Sequence, residues 1–584
     1  MDHADAMPWA VRGRSLVDGV AVGPLLYSET GLSFWGGVDP TTGEIIDRHH
    51  PLMGRSVAGT VLAMPQGRGS CSGSVVMLEL MMNGRAPAAL VFETPDDVLT
   101  LGVIVADEIF GRAIPVLALG GRFREIAALS WVVVTGDQLG NAVEYRPALP
   151  PSAVPSADLS GIVTTSRDRA MLSGGSGEAA RVAMRIVLRT ATLADNPALV
   201  EVTRVHVDGC IYTGPAGLRF AEHLRDRGAR VVVPTTLNAI SVDERRWRDL
   251  GVDPAVAEPA TALARAYVDM GARATFTCAP YTLEAPPTFG ETIAWSESNA
   301  VVFANSVFGA RTAKTPDLLD ICIALTGRAP GTGCYRDADR RATLRIEVGS
   351  LGEVDESLYP LLGYRVGALA RDRIPVVIGL EKLAPSHDDL KAFGAAFATT
   401  ASAAMFHVGG VTPEAATLGD LDGLPVATVD RADLLATWRQ LNSGEAGEID
   451  LVCLGSPHLS RTELERLGRL CRGRTASPRV GVTVTCGRDT LAGAEADGLT
   501  ADLEAFGITL LTDTCWCMIA EPVIPPGARR LLTNSGKYAH YGPGLAGRSF
   551  RFAGLEACIE AACTGLSPAQ PPAWLTTPEV SPAG

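Results

Sequence analysis

The chain has 584 residues, 47% of them hydrophobic and 20% charged, with 12 cysteines and a formal net charge of −14. That length supports roughly two to four domains, and that hydrophobic content excludes a disordered chain despite 62 glycines and 38 prolines. The acidic balance excludes a general nucleic-acid binder, which needs a basic face, and the sparse cysteines exclude a disulfide scaffold.

Taken in chain order, MDHADAMPWAVRGRSLVDGV lacks the continuous apolar stretch of a signal peptide. Residues 61–148 then alternate. VLAMP, AALVF, PVLALG and WVVVTGD read as strands, SVVMLELMM and DDVLTLGVIVADEIFG as helices. YRPALPPSAVPSADLSG carries four prolines and no periodicity, so it reads as a linker. EAARVAMRIVLRTATL is a helix. Downstream, LVEVTRVHV, ARVVVP, RATFT, AVVFAN, IPVVIGL, AAMFHVGG, LPVATV, IDLVCLG, RVGVTVT and ITLLTD read as strands, most of them separated by helical patterns. The expectation is an α/β protein: a small domain over 1–148, a linker over 149–164 and a large multi-lobed α/β body over 165–584. SPAQPPAWLTTPEVSPAG reads as an ordered-to-frayed end. No uninterrupted apolar run approaches the roughly 18 residues of a membrane span. A cytoplasmic protein with reduced thiols is expected, without membrane or nucleic-acid partners.

Six runs and the scattered cysteines could carry chemistry. PQGRGSCSGS (65–74) lies between a strand and a helix, where backbone N–H groups make an anion site. It holds Arg68, Ser70, Cys71, Ser72 and Ser74 but lacks a Walker lysine and the dinucleotide glycine spacing. A capped helix start is the plainer reading. LSFWGGVDPTTGEIIDRHHPL supplies tight turns and adjacent histidines, which face opposite sides of an extended strand and so make poor co-ligands. The cysteines form no CxxC pair. They remain buried filler, metal ligands or redox groups. Cys278 and Cys515 follow strand-like runs, and Cys453 lies on or near the end of another. Such ligands can converge without local spacing, and thiolates select soft centres such as iron–sulfur clusters. In CWC (515–517), two thiols on opposite faces of a strand would not share a site. Finally, LLTNSGKYAHYGPG holds Lys537, suited to a carboxylate. HVDGCIYTG, PTTLNA and WSESNAVVFANSVFGART bring polar residues that a ligand would satisfy if they are buried.

Together these runs resemble the aconitase X family over nearly the whole chain. LSFWGGVDP, DRHHPL and GRGSCSGS resemble its swivel domain. HVDGCIY, PTTLN, TCAPY, ESNAVVFANSVFGART, FHVGGVTPEA, GSPHLS, TDTC and TNSGKYAHY resemble its catalytic part. The resemblance implies an aconitase-like fold with the swivel fused first, and an iron–sulfur cluster (2Fe-2S, 3Fe-4S or 4Fe-4S) or a mononuclear iron. It also implies a dehydratase reaction on a small hydroxy amino acid. Fusion in one chain favours cis-3-hydroxy-L-proline as substrate, by analogy. The alternatives are another hydroxy acid such as mevalonate 5-phosphate, or an iron-sensing RNA-binding role.

Carried over by motif, Ser70 is the proton acceptor, with Ser72 as its alternative. Cys278 and Cys515 match metal-ligand motifs. The third ligand of some relatives stands in a Gly-Cys-Pro-His run that here reads Gly455-Ser456-Pro457-His458, which leaves Cys453 as the substitute. Lys537, Gly209, Cys210, Ile211 and Asn238 match substrate-pocket positions, and Arg68, Cys71, Ser298 and Asn299 are expected beside them. A serine is a poor base near neutral pH, so Arg68 and the loop amides are expected to ionise it. An iron with an open position would act as Lewis acid on the leaving hydroxyl.

Overall fold

The computed structural model describes residues 10–142 and 161–576. Most of the expected linker, and the last eight residues of the chain, lie outside the described residues. Two compact units result. One ends its main segment at Thr235 and adds Asp269–Gly271 and Thr315–Thr332; the other comprises Thr236–Val268, Ala272–Lys314 and the chain from Gly333 onward.

The first unit is built on an eight-stranded sheet. Its strands are β1 (Val11–Arg12), β2 (Arg14–Val17), β3 (Val20–Tyr27), β4 (Val61–Met64), β5 (Ala89–Phe92), β6 (Val116–Ala118), β7 (Trp131–Thr135) and β8 (Gln138–Asn141). The order is β1-β8-β7-β3-β4-β5-β6-β2, and β3 through β6 run parallel. Strands β4 and β5 are buried at every position, which explains their unbroken apolar sequence. The helix α1 (Gly73–Met82) is buried almost throughout. The serine loop joins β4 to α1, at the carboxyl end of the parallel strands, where α/β sheets bind ligands.

Asp96 fixes that loop. Its Oδ1 accepts from Leu99 N at 2.7 Å, capping α2 (Asp97–Phe110), and its Oδ2 accepts from Gly67 N at 2.6 Å. A Cβ on Gly67 would lie 2.6 Å from the same oxygen, so glycine is required there. The adjacent Asp97 has its pKa pushed up to about 7 by burial and then by the Asp96 charge, with Arg14 opposing. The folded state therefore holds this proton more tightly than the unfolded chain. The stability it confers is complete below about pH 4 and is lost as pH rises towards 7. Asp97→Asn is expected to leave the melting temperature unchanged at pH 4 and to raise stability at pH 8, on the order of 2 kcal/mol after solvent screening. Thermal melts at the two pH values check this.

The second unit holds two parallel sheets. One has the order His407–Val408, Pro375–Ile378, Leu344–Val348, Val426–Val429. It packs with the helices Leu358–Ala370 and His387–Thr400 around Phe393, Phe397 and Phe406. The other has the order Ile508–Leu511, Gly481–Cys486, Leu451–Leu459, Arg530–Thr533, Ser549–Phe552. The chain thus winds outward one way from Leu451–Leu459 and then the other way, which creates a switch point beside that strand. The strand register shifts between Leu454 and Leu459, within the Gly-Ser-Pro-His run.

Three expected strands differ. AVVFAN lies in the helix Ser298–Phe303 and the π-turn after it. It is buried on all sides, so its apolar run shows no period that separates helix from strand. In ARVVVP, the amides of Val231 and Val232 bond to loop carbonyls of Met270 and Ala324 instead of a ladder. RATFT keeps only an isolated bridge at Arg273. Among the described residues no helix is long and apolar enough to cross a membrane.

Candidate active site

In the first unit the serine loop meets a group of carboxylates. Ser72 stands just before α1, yet its hydroxyl does not cap the helix. It donates instead towards Asp208 Oδ2 at 3.4 Å. Ser70 Oγ donates to Ser72 Oγ at 3.1 Å and accepts from Ser72 N at 3.2 Å. Ser72 and Asp208 are buried and Ser70 is half-buried, so the chain Ser70–Ser72–Asp208 runs from the partly exposed end inward. Asp208 is fixed from behind, because Asp320 Oδ2 accepts from Asp208 N at 2.7 Å and from Gly209 N at 3.0 Å. Burial raises the Cys210 thiol well above its usual pKa, and the charges of Asp208, Asp320 and Asp317 push it further, which leaves Cys210 a neutral thiol. Cys71 is fully buried, and Ile211 is buried beside Cys210.

Arg68 does not serve the serines as expected. Its Nη2 pairs with Asp47 Oδ2 at 2.6 Å and its Nε donates to Gly31 O at 2.8 Å. Its charge is directed to a buried carboxylate, and the nearest charged partner of the serine pair is an anion. Of the adjacent histidines, His50 is buried with Nε2 3.1 Å from Thr30 O, a structural bond within the turn.

In the second unit, three buried cysteines stand together. The Cys515 thiol is held up by its hydrogen bond with Cys278, and that of Cys517 by its hydrogen bond with Cys515 and by burial. CWC lies in a turn, not a strand, so both of its thiols reach the same place. Cys453 is set apart. It is fully buried in an apolar layer with Leu451, Leu511, Trp516, Leu531 and Tyr538. Burial raises its thiol well above the usual value, with Cys558 acting in the same direction. Among the described residues, no group of three or more His, Cys, Asp and Glu forms a metal-holding set. The Cys278–Cys515 pair nevertheless fits a soft metal: two buried sulfurs within hydrogen-bonding reach, with a cation nearby.

That cation is Lys537, in the first turn of the helix Gly536–Ala546, where the helix dipole disfavours positive charge. Burial also works against it, but Glu297 and then the Cys517, Cys278 and Cys515 sulfurs keep its pKa well above the usual value. Glu297 Oε1 accepts from Lys537 Nζ at 2.8 Å. Burial alone would raise the Glu297 carboxyl, and the Lys537 charge overrides it, leaving it low. Asn299 also donates to Glu297, and its Nδ2 donates to Cys278 O at 3.0 Å while its Oδ1 accepts from Tyr281 OH at 2.7 Å. Its amide therefore positions the cysteine backbone. Ser298 and Asn238 are buried, the latter just beyond the strand Thr235–Leu237.

His458 is the residue that sequence reasoning passed over. Its Nδ1 lies 3.1 Å from Thr277 Oγ1, its Nε2 2.8 Å from Thr514 O, and its N–H donates to Cys278 Sγ at 3.3 Å. Burial pushes its pKa down to about 4, against the pull of the Thr514 carbonyl, so it is neutral at pH 7. Gly455, at φ +96°, allows this run to press on the neighbouring strand, since a Cβ there would lie 2.2 Å from Thr485 O. Beside it is a polar cavity of about 30 Å³, lined by Lys391, Ser456, Glu463, Asn534 and Ser535 among others, room for one water. The only sequence signal for His458 was its place after Gly-Ser-Pro.

Comparison with known proteins matches the aconitase X swivel domain over residues 10–143, its first domain over 161–338, its second over 342–439 and its third over 449–564. A cis-3-hydroxy-L-proline dehydratase of Pseudomonas aeruginosa is 56% identical over 571 residues, covering 96% of this chain and 98% of that protein. One from Hypocrea jecorina is 52% identical, covering 97% of each chain. The holo-form crystal structure of aconitase X from Thermococcus kodakaraensis aligns with TM-score 0.62 and 31% identity, covering 68% of this chain and all of that one. Matched in this way from swivel to third domain, the chain belongs to the aconitase X family and is a hydro-lyase of the aconitase superfamily.

Proposed function

We propose that this enzyme removes water from cis-3-hydroxy-L-proline to give Δ1-pyrroline-2-carboxylate. The observation that carries the mechanism is the directed chain Ser70–Ser72–Asp208. Ser70 Oγ takes the Cα proton, Ser70 passes its own proton to Ser72, and Ser72 passes its proton to Asp208. A carboxylate as final acceptor removes the need for a free serine alkoxide, which the surrounding negative charge would disfavour. Loss of the C3 hydroxyl leaves an enamine that tautomerises to the cyclic imine; the departing hydroxide takes a proton from solvent and Asp208 returns the Cα proton to solvent, so that one water leaves overall. Cys278 and Cys515 would hold an iron or iron–sulfur centre, which when bound supplies the Lewis acidity that so poor a leaving group needs. Lys537, charged and held by Glu297, binds the substrate carboxylate. Gly209 and Ile211, next to Asp208 in sequence, and Asn238 and Ser298, in the unit that holds Lys537, are assigned to substrate binding. The choice of substrate is supported by the two relatives, which match from the swivel through the catalytic domains.

Iron-reconstituted enzyme offered cis-3-hydroxy-L-proline and mevalonate 5-phosphate in parallel tests this reading. Turnover of the hydroxyproline alone is expected; turnover of the phosphorylated acid alone would sink it.

A further inference from the structure

We infer that His458 and Arg488 form a two-tier clamp that presets the Cys278–Cys515 thiol pair before a metal arrives. The inference rests on the reading of that pair as the iron-holding one. The two cysteines are distant in sequence, and each sits in irregular backbone outside any strand. Regular structure therefore does not set the distance between their sulfurs. Something else must.

The first tier acts on the residue immediately before each cysteine. Thr514 O can only accept, so His458 Nε2 carries the ring proton and donates to it at 2.8 Å. Nδ1 is then an acceptor and takes the Thr277 hydroxyl proton at 3.1 Å. Thr277 Oγ1 is oriented in turn by Ala279 N at 3.1 Å. One buried imidazole thus spans both cysteine loops in a single tautomer, and its own backbone N–H is aimed at the Cys278 sulfur.

The second tier acts one residue earlier in each loop. Phe276 and Asp513 both adopt positive φ, 42° and 68°, a backbone region costly for residues with a Cβ. The same side chain holds both. The Arg488 guanidinium stacks 4.6 Å from the Phe276 ring centroid and binds Asp513 with both Nε–Oδ1 at 2.5 Å and Nη2–Oδ2 at 2.7 Å. Glu244 steadies the guanidinium through Nη2 at 3.0 Å. Arg488 opens the helix Arg488–Ala496, where the dipole disfavours a cation, so its place there is justified by these partners. The two loops also share one support: Thr277 N donates to Leu237 O at 3.2 Å, and Ile240 N donates to Asp513 O at 2.6 Å. His458 and Arg488 are positioning residues, acting on the sulfurs through their neighbours.

The test uses full-length enzyme reconstituted anaerobically with ferrous iron and sulfide. It reads iron per chain, the thiolate-to-iron absorption bands, the rate of iron loss to bathophenanthroline, and the melting of the metal-free protein. His458→Ala and Thr277→Val are expected to lose iron faster, on the order of tenfold, with shifted bands. Thr277→Ser, which keeps the hydroxyl, should match wild type. Arg488→Lys, which keeps the charge but loses the fork, should fall between. Wild-type rates and bands in His458→Ala and Thr277→Val, with iron lost from Cys278→Ala and Cys515→Ala, would overturn the clamp and leave the ligands standing. Iron retained by both cysteine variants would overturn the underlying reading instead. If His458→Ala does not fold, the Thr277→Val and Thr277→Ser pair decides.

Discussion

Ser70→Ala lowers kcat for cis-3-hydroxy-L-proline by about 10²–10⁴-fold and leaves the iron content of the enzyme unchanged. The expectation follows from position. Ser70 is the half-buried end of a hydrogen-bonded chain whose other members are buried. It is the member that can meet a Cα–H, and it lies in a unit that holds none of the three clustered cysteines. Asp208→Asn is the companion variant. It keeps the shape and the hydrogen bond but removes the acceptor of the last proton, so its loss should approach that of Ser70→Ala. The acidic limb of the kcat/KM profile should also disappear, since that limb reports protonation of the base system. If Arg68 ionised a lone serine instead, Asp208→Asn would raise activity by removing an opposing charge. The Arg68–Asp47 pair speaks against that route.

Cys278→Ala and Cys515→Ala are expected to reduce iron per chain to background and abolish turnover, because each removes one of two adjacent soft donors. Cys453→Ala should retain both iron and turnover. Its sulfur packs among Leu451, Leu511 and Leu531, so the cost is a small cavity in that layer. Iron determination on the three purified variants, with an absorption spectrum, separates ligand from filler in one experiment. Iron lost from Cys453→Ala alone would reverse the assignment.

The swivel sheet was legible because its strands are short, fully apolar and separated by turns and helices, and the structure follows that alternation from β4 to β7. The thiol pair was legible through TCAPY and TDTC. What escaped depends on contacts across the chain. Nothing local announces that Thr277 and Thr514 share one imidazole, or that one guanidinium meets both Phe276 and Asp513. CWC misled because alternation applies only in a strand, and here the run turns. Arg68 misled because a basic residue beside serines looks catalytic until a buried carboxylate, here Asp47, claims it. Asp208 was hidden in HVDGC, because nothing local announces that its carboxylate meets Ser72, 136 residues away.

The central claim, proton loss at Cα with departure of the C3 hydroxyl, is tested most directly by following cis-3-hydroxy-L-proline deuterated at Cα through the reconstituted enzyme with mass detection. The account predicts a product lighter by one water and free of the Cα deuterium, with the deuterium recovered in solvent. A product that keeps the Cα deuterium, or no product from this substrate in an enzyme that holds its iron, would contradict it.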